Sequence, residues 1–225
     1  MGENDNIYTE KTDTNDKAVE RRILDASEEL FCQNGFDGTS IRDITTKANC
    51  NVSAVNYHFG GKENLYLATF KLHLGQLKDT YIATVDKVMS QAEENITLEN
   101  LLRSFSTAFI ELLVGKRKTQ RFITLMTREM LDPHLPMNLF YDEMMLPVQI
   151  VMQNALKKIC PQISDKQSML AMMSIVGQLI HIVRFTEFVE RGGIKDIPFD
   201  INELVEHTVN FSAAGIRAGF QKTKC

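Results

Sequence analysis

Residues 39–51 read TSIRDITTKANCN and residues 52–65 read VSAVNYHFGGKENL. Ile41 and Ile44 give a short amphipathic helix, Ser40–Ala48, and Val52–His58 gives a second. Asn49-Cys50-Asn51 joins them. Ile44, Ala48, Cys50 and Val55 fall where two crossing helices must touch, and the small Ala48 permits close approach. Asn49 stands where the turn needs a left-handed backbone, which Asn tolerates better than most residues with a Cβ. Asn51 is placed to cap the next helix. The pattern is a helix-turn-helix, a motif whose second helix enters the major groove.

Outward from this stretch the apolar period stays helical. Five prolines and twelve glycines interrupt the chain, and no alternating run reads as a strand. The spacing predicts helices over Lys17–Asn34, Ser40–Ala48, Val52–His58, Lys62–Met89, Thr97–Val114, Lys118–Leu131, Met137–Ile159, Ser164–Glu190 and Asp200–Phe220. Pro147 should kink or break the seventh, and Arg191-Gly192-Gly193 should stop the eighth. The expectation is an all-α protein of about nine helices. Residues 1–16 are acidic and nearly devoid of apolar side chains, so they are expected to be a disordered acidic arm. Residues 17–66 should form the helix-turn-helix domain, and residues 67–225 a larger domain for ligand binding and dimerisation.

The string Thr39–Asn51 with Val55–Leu65 resembles the DNA-binding segment of TetR/AcrR-family regulators. Ile23–Phe31 and Asn34–Ser40 are similar to the family's first helix and following loop. The resemblance covers roughly Lys17–Phe70 without a gap. It departs at Asn49, where the family usually has Gly, and at Thr45, where Ala is usual. Arg128–Pro133 and Asn56–Gly60 more loosely resemble the CecR-type subgroup. These likenesses imply a homodimeric, cytoplasmic transcriptional regulator. It would be a repressor released from a palindromic double-stranded DNA operator by a small apolar or drug-like ligand. An activator of the same fold is the alternative, and a helical adaptor without DNA binding is the rival from another class.

Residue chemistry supplies the candidate DNA contacts. Val52, Ser53, Ala54, Asn56, Tyr57 and His58 cover the faces of the short helix not used by Val55 and Phe59. Asn, Ser and His can read base edges, and small apolar groups can meet thymine methyls. Thr39, Ser40 and Arg42 open the preceding helix. Lys62 opens the long fourth helix, where free amides and a lysine suit phosphate. Cations and anions are nearly balanced between Lys17 and Tyr66, and the net charge is −4. Modest non-specific affinity and reliance on a dimer follow.

Nine of the 11 methionines lie between Met126 and Met173, and Met suits irregular apolar binding surfaces. Met126, Met130, Met144 and Met173 are candidate pocket residues, with Phe105, Phe109, Phe122 and Phe140 as walls. Arg128, Glu129, Gln178, His181 and Arg184 could orient a ligand; Arg128, Gln178 and His181 join the candidate pocket. The stretch Met169–Val189 is apolar on nearly every face, so one side should meet a second chain. Leu179, Ile180 and Val183, with Val205, Val209 and Ala213 of the last helix, are the candidate interface.

Other classes find no support. Cys32, Cys50, Cys160 and Cys225 form no close pair, so neither a zinc knuckle nor a disulfide framework is expected. No cofactor is expected. Gly-rich phosphate loops, His-Glu-x-x-His and Glu-x-x-His pairs are missing from the sequence, so no enzyme is expected. The polar start lacks a signal peptide's pattern. Gln178, His181, Arg184 and Glu187 argue against a lipid-spanning role for the longest apolar stretch.

Overall fold

The computed structural model describes residues 4–114, 117–193 and 200–221. Among them there is no strand, and nine α-helices follow one another. They are α1 (Asn4–Asn34), α2 (Ile41–Ala48), α3 (Val52–Phe59), α4 (Lys62–Met89), α5 (Leu98–Val114), α6 (Arg117–Leu131), α7 (Leu146–Ile159), α8 (Asp165–Gly192) and α9 (Ile201–Gln221). Helix α1 starts at Asn4, so the backbone of residues 4–16 is helical where a disordered arm was expected. No glycine or proline stands between Gly2 and Gly35 to stop it, and Gly35 then ends it at φ 77°.

Local chemistry sets most boundaries. Thr97 Oγ1 accepts the Asn100 amide at the start of α5. Ser164 and Gln167 bond reciprocally before α8, as do Asp200 and Glu203 before α9, each pairing satisfying otherwise orphaned amides. The helix expected over Met137–Ile159 is broken up. Tyr141–Met145 form a π-helical turn directly ahead of α7. Pro147 lies just beyond it, and its missing N–H and bulky ring disfavour a regular turn there. Gly193, at φ 63°, follows α8 as its stop.

The described chain forms two compact units. The first comprises Met1–Leu74 with Gln120–Leu139, and the second Gly75–Thr119 with Phe140–Cys225. This differs from the expected division at residue 66. The first unit keeps more of α4 and also takes in most of α6. The physical reason is packing. Phe122 of α6 is buried, with its ring 5.6 Å from Phe70 and 5.0 Å from His73 of α4. Ile23, Phe31, Ile44, Val55, Leu65 and Leu125 complete this core at zero exposure. Each such side chain contributes about 1.5–3 kcal/mol on burial.

The second unit is built on α5, α7, α8 and α9. Leu101, Leu102, Phe105, Met152, Leu156, Ile175, Leu179 and Val209 form its centre. At its surface Arg103 grips both carboxylate oxygens of Glu206, and Arg217 grips both of Glu99 at 2.6 and 2.9 Å. These two forks hold α5 against α9. The Asp165–Val189 stretch of α8 has the length and apolarity to cross a bilayer. Its Ile175, Leu179, Ile182 and Val183 instead face the interior of the unit.

Candidate nucleic-acid interface

Helices α2 and α3 are fixed at both ends by their own side chains. Ser40 opens α2 with a reciprocal cap. Its Oγ accepts the Asp43 amide at 3.2 Å, while its own amide and hydroxyl donate to Asp43 Oδ2 at 3.2 and 2.6 Å. Those bonds hold the Asp43 carboxyl below its usual range. Asn49 takes φ 51° and ψ 56°, and its amide reaches back to the Thr45 and Thr46 carbonyls. Asn51 Oδ1 then caps α3 by accepting the Ala54 amide at 2.9 Å, and it also accepts the Ser53 hydroxyl at 2.6 Å. Gly60, at φ 76°, closes α3.

These caps leave one face of α3 outward. Val55 is wholly buried against the core. Val52 is 43% exposed and Tyr57 77% exposed, and Ser53 and Asn56 are exposed as well. Two exposed large apolar or aromatic side chains on an eight-residue helix cost solvation unless something covers them. Ala54 and His58 are half-buried, the His58 ring lying edge-on to Tyr57 at 5.0 Å. Arg42 is exposed on α2. Lys62, at the start of α4, holds its ammonium 4.3 Å from the centre of the Phe36 ring, a cation–π contact that positions the charge. Phe36 was absent from the candidate residues; its place in the loop after α1 gives no periodic signal.

Thr39 requires a correction. It is 1% exposed, and its hydroxyl donates to the carbonyls of Leu30 at 3.1 Å and Gly35 at 2.8 Å. It ties the loop to α1 and is not on the surface. Ser40 is exposed, but its hydroxyl is engaged in the cap.

The flanks of this surface are ionic. Lys47 donates to Glu29 at 2.7 Å, and Arg121 stands 3.6 Å from the same carboxylate. The Lys47 hydrogen bond holds Glu29 below its usual range. Arg128 and Glu129, expected to orient a ligand, serve the first unit. Arg128 Nη2 donates to the Gln33 carbonyl at 3.1 Å, near the end of α1. Glu129 accepts the Tyr66 hydroxyl at 2.9 Å and the amides of His134 and Leu135. Burial, then this bond to Glu129, pushes the Tyr66 phenol well above its ordinary value.

The candidate pocket residues are divided between the two units. Phe122, Met126, Arg128 and Met130 belong to the first. There Phe122 is core, while Met130 is 80% exposed. Phe105 and Phe109 are buried in the second unit beside Tyr81, with ring centres 5.4 and 5.9 Å from it. Phe140 precedes the π turn and Met144 lies within it, both half-buried. Met173 is 61% exposed. Gln178 donates to Ser174 and Ser212. His181 is exposed and stacks on Phe185. Met130 and Met173 thus face mostly outward within their own units. Periodicity had marked them as apolar without saying which side of the helix is covered.

The candidate interface residues also divide by burial. Leu179, Val183, Val205, Val209 and Ala213 are all buried in the core of the second unit. Ile180 alone of that set is exposed, at 47%. The outward apolar residues of α8 and α9 are Met169, Leu170, Met173, Ile180, Phe188 and Phe211. Leu170 and Phe211 line a groove of about 290 Å³ with Ala171, Ser174, Ser212 and Gly215.

Comparison with known proteins agrees with this geometry. The family described as bacterial regulatory proteins, tetR family, matches residues 23–69. The family described as the C-terminal domain of the HTH-type transcriptional dual regulator CecR matches residues 98–216. A probable HTH-type transcriptional regulator of Bacillus subtilis, YttP, is 32% identical over 93 residues, 41% of each chain. The Staphylococcus aureus negative regulator of the icaADBC biofilm operon, IcaR, is 28% identical over 80 residues, 36% of this chain and 40% of that one. The chain thus matches about two fifths of the length of these curated relatives.

Among solved structures, a putative TetR-family regulator from Mesorhizobium loti superposes with a TM-score of 0.64 at 20% identity, covering 90% of this chain and 96% of that one. Bacillus subtilis FadR, solved with stearoyl-CoA, gives 0.62 at 17% identity, covering 87% and 98%. At those identities the likeness concerns the fold. By the two family matches, the chain belongs to the TetR family of transcriptional regulators, with a CecR-type C-terminal domain, and not to a family of enzymes.

Proposed function

We propose that the protein is a cytoplasmic homodimeric repressor that binds a palindromic operator through α3 and is released by a small apolar effector. The observation that carries this reading is the outward face of α3. Val52, Ser53, Asn56 and Tyr57 are exposed together on a helix capped at both ends and anchored by a wholly buried Val55. Its rigidity suits base readout, because little side-chain and backbone freedom remains to be lost on docking. Arg42 and Lys62 flank it as phosphate contacts.

The exposed apolar residues of α8 and α9 support the dimer. A second copy laying the same face over Leu170, Ile180 and Phe211 would cover the groove between the two helices, an isologous contact of the kind that closes a C2 pair. For the effector, the second unit offers an aromatic cluster of Tyr81, Phe105 and Phe109. Ser106, on the same helix as the two phenylalanines, is fully buried, and its hydroxyl lacks a hydrogen-bond partner among the described residues. Buried hydroxyls are ordinarily bonded, so Ser106 is a natural anchor for the polar end of an otherwise apolar molecule.

A nuclease footprint on the DNA upstream of the gene tests this. Two symmetric protected half-sites, one helical turn or a multiple apart (about 34–36 Å per turn), are expected for a dimer. A single half-site, or no protection, would overturn the reading.

A further inference from the structure

The first unit brings together three donors that are far apart in the sequence. Asp37 lies in the loop after α1, and Asp132 and His134 lie just beyond the end of α6. Their ligand atoms all fall within 4.8 Å of one another. His134 Nε2 is 3.8 Å from Asp37 Oδ2 and 3.8 Å from Asp132 Oδ2. No sequence motif announces this set, because its spacing exists only once α6 packs beside α1.

The ring of His134 is held in place. It lies against Phe36, with ring centres 4.5 Å apart. Its backbone amide donates to Glu129 at 2.6 Å. Nδ1 lies 2.8 Å from the Asp132 carbonyl. A carbonyl only accepts, so Nδ1 carries the hydrogen and Nε2 is the ring nitrogen that faces the two carboxylates. An imidazole whose other nitrogen is committed to a carbonyl is the usual second-sphere arrangement of a metal-binding histidine. Oδ2 of Asp37 and Oδ2 of Asp132 lie at equal distance from Nε2. A divalent cation at this point would be attracted by both carboxylates at once.

The spacing says which cation. At 3.8 Å neither carboxylate is within hydrogen-bond distance of Nε2. Two ligands on one ion, each about 2.1 Å from it, stand roughly 3.0–4.2 Å apart depending on their angle. Both 3.8 Å distances lie inside that span. One imidazole and two carboxylates, exposed enough for water to complete the shell, suit a first-row divalent metal such as Mn2+ or Zn2+.

We propose that Asp37, Asp132 and His134 form a divalent-metal site that staples the loop after α1 to the loop after α6. Metal occupancy would therefore order the end of α6 within the unit that carries α3. The site draws on none of the residues assigned to DNA contact.

The test uses the full chain stripped with a chelator. Mn2+ is titrated and the free ion followed by its paramagnetic resonance; this hard ion also avoids the thiols. Zn2+ is titrated in parallel by thermal shift. One ion per chain is expected, with affinity reduced about tenfold or more in both Asp37→Asn and His134→Gln. Asp37→Asn, at an exposed carboxylate, should melt close to metal-free wild type, whereas His134→Gln also loses the ring's packing on Phe36. Metal should raise the melting temperature of wild type and of neither variant, which separates lost binding from lost folding. Binding of neither ion, or binding unchanged in both variants, would overturn the proposal. The measurement involves no operator DNA, so its failure is separable from failure of the repressor reading.

Discussion

His73 of α4 places its Nε2 3.0 Å from Oε2 of Glu28 in α1, with side chains 6% and 3% exposed. The same imidazole stacks on Phe122 of α6 at 5.0 Å. One close imidazole–carboxylate contact thus sits where α1, α4 and α6 of the first unit meet. Taking two ionisable groups out of water is costly, and their pairing offsets that cost. His73→Ala removes the imidazole beside a buried carboxylate and should destabilise the protein by about 3 kcal/mol. The double variant Glu28→Leu with His73→Phe should lose less than the two single changes summed. Urea melts of the four proteins form the cycle, and additive losses would remove the coupling.

Lys62 combines a ring contact with an open approach to phosphate. Lys62→Ala should weaken all DNA sequences alike and lower the slope of log affinity against log salt by about one. The stability cost should stay near 0.5–1 kcal/mol, the worth of an exposed cation–π contact. Anisotropy titrations at several salt concentrations check this; a loss confined to one sequence would make Lys62 a base reader.

Neighbouring positions on α8 separate interface from core. Ile180 is 47% exposed and Val183 is 5% exposed. Ile180→Glu should give a folded monomer by light scattering, with helical circular dichroism retained. Val183→Glu buries an unpaired charge and should lower stability by several kcal/mol. An intact dimer for Ile180→Glu would move the contact off this face.

The α5–α9 forks predict a pH dependence. Arg217 holds Glu99 below its usual range, and Arg103 does the same for Glu206. A depressed folded-state value means that the stabilisation is present above the unfolded carboxyl's range. It is lost as pH falls through the folded value. The pairs are partly exposed, so each is worth under about 1 kcal/mol. Wild type should melt above the Glu99→Gln, Glu206→Gln double variant at pH 7, and the gap should close toward about pH 3. A gap independent of pH would assign the stabilisation to packing.

Much of the first unit was legible because its signals are local. Asn49 in the turn and Asn51 as a cap each follow from one residue's backbone or donor chemistry, as does the break near Pro147 in the second unit. Thr39 misled because a small polar residue beside a recognition motif reads as surface, whereas its hydroxyl closes two carbonyls of α1. The dimer face and the methionines misled for another reason. Val183 and Ile180 are both strongly apolar, and only the packing of the neighbouring helices against α8 decides which is covered. Arg128 and Glu129 read as ligand groups until α6 was seen to pack with α1 and α4. The Asp37–His134 approach depends on the same packing and left no mark on the sequence.

The central claim is that α3 reads DNA through its exposed face, and Tyr57 is its most exposed large side chain. Anisotropy of the full chain on labelled DNA from upstream of its gene, against a scrambled duplex at the same stated salt, tests it. Wild type should prefer the upstream DNA by about a thousandfold or more. Tyr57→Ala should lose about 1–3 kcal/mol of that preference with an unchanged melting temperature. Equal affinity of wild type for the two duplexes, or an undiminished preference in Tyr57→Ala, would contradict the account.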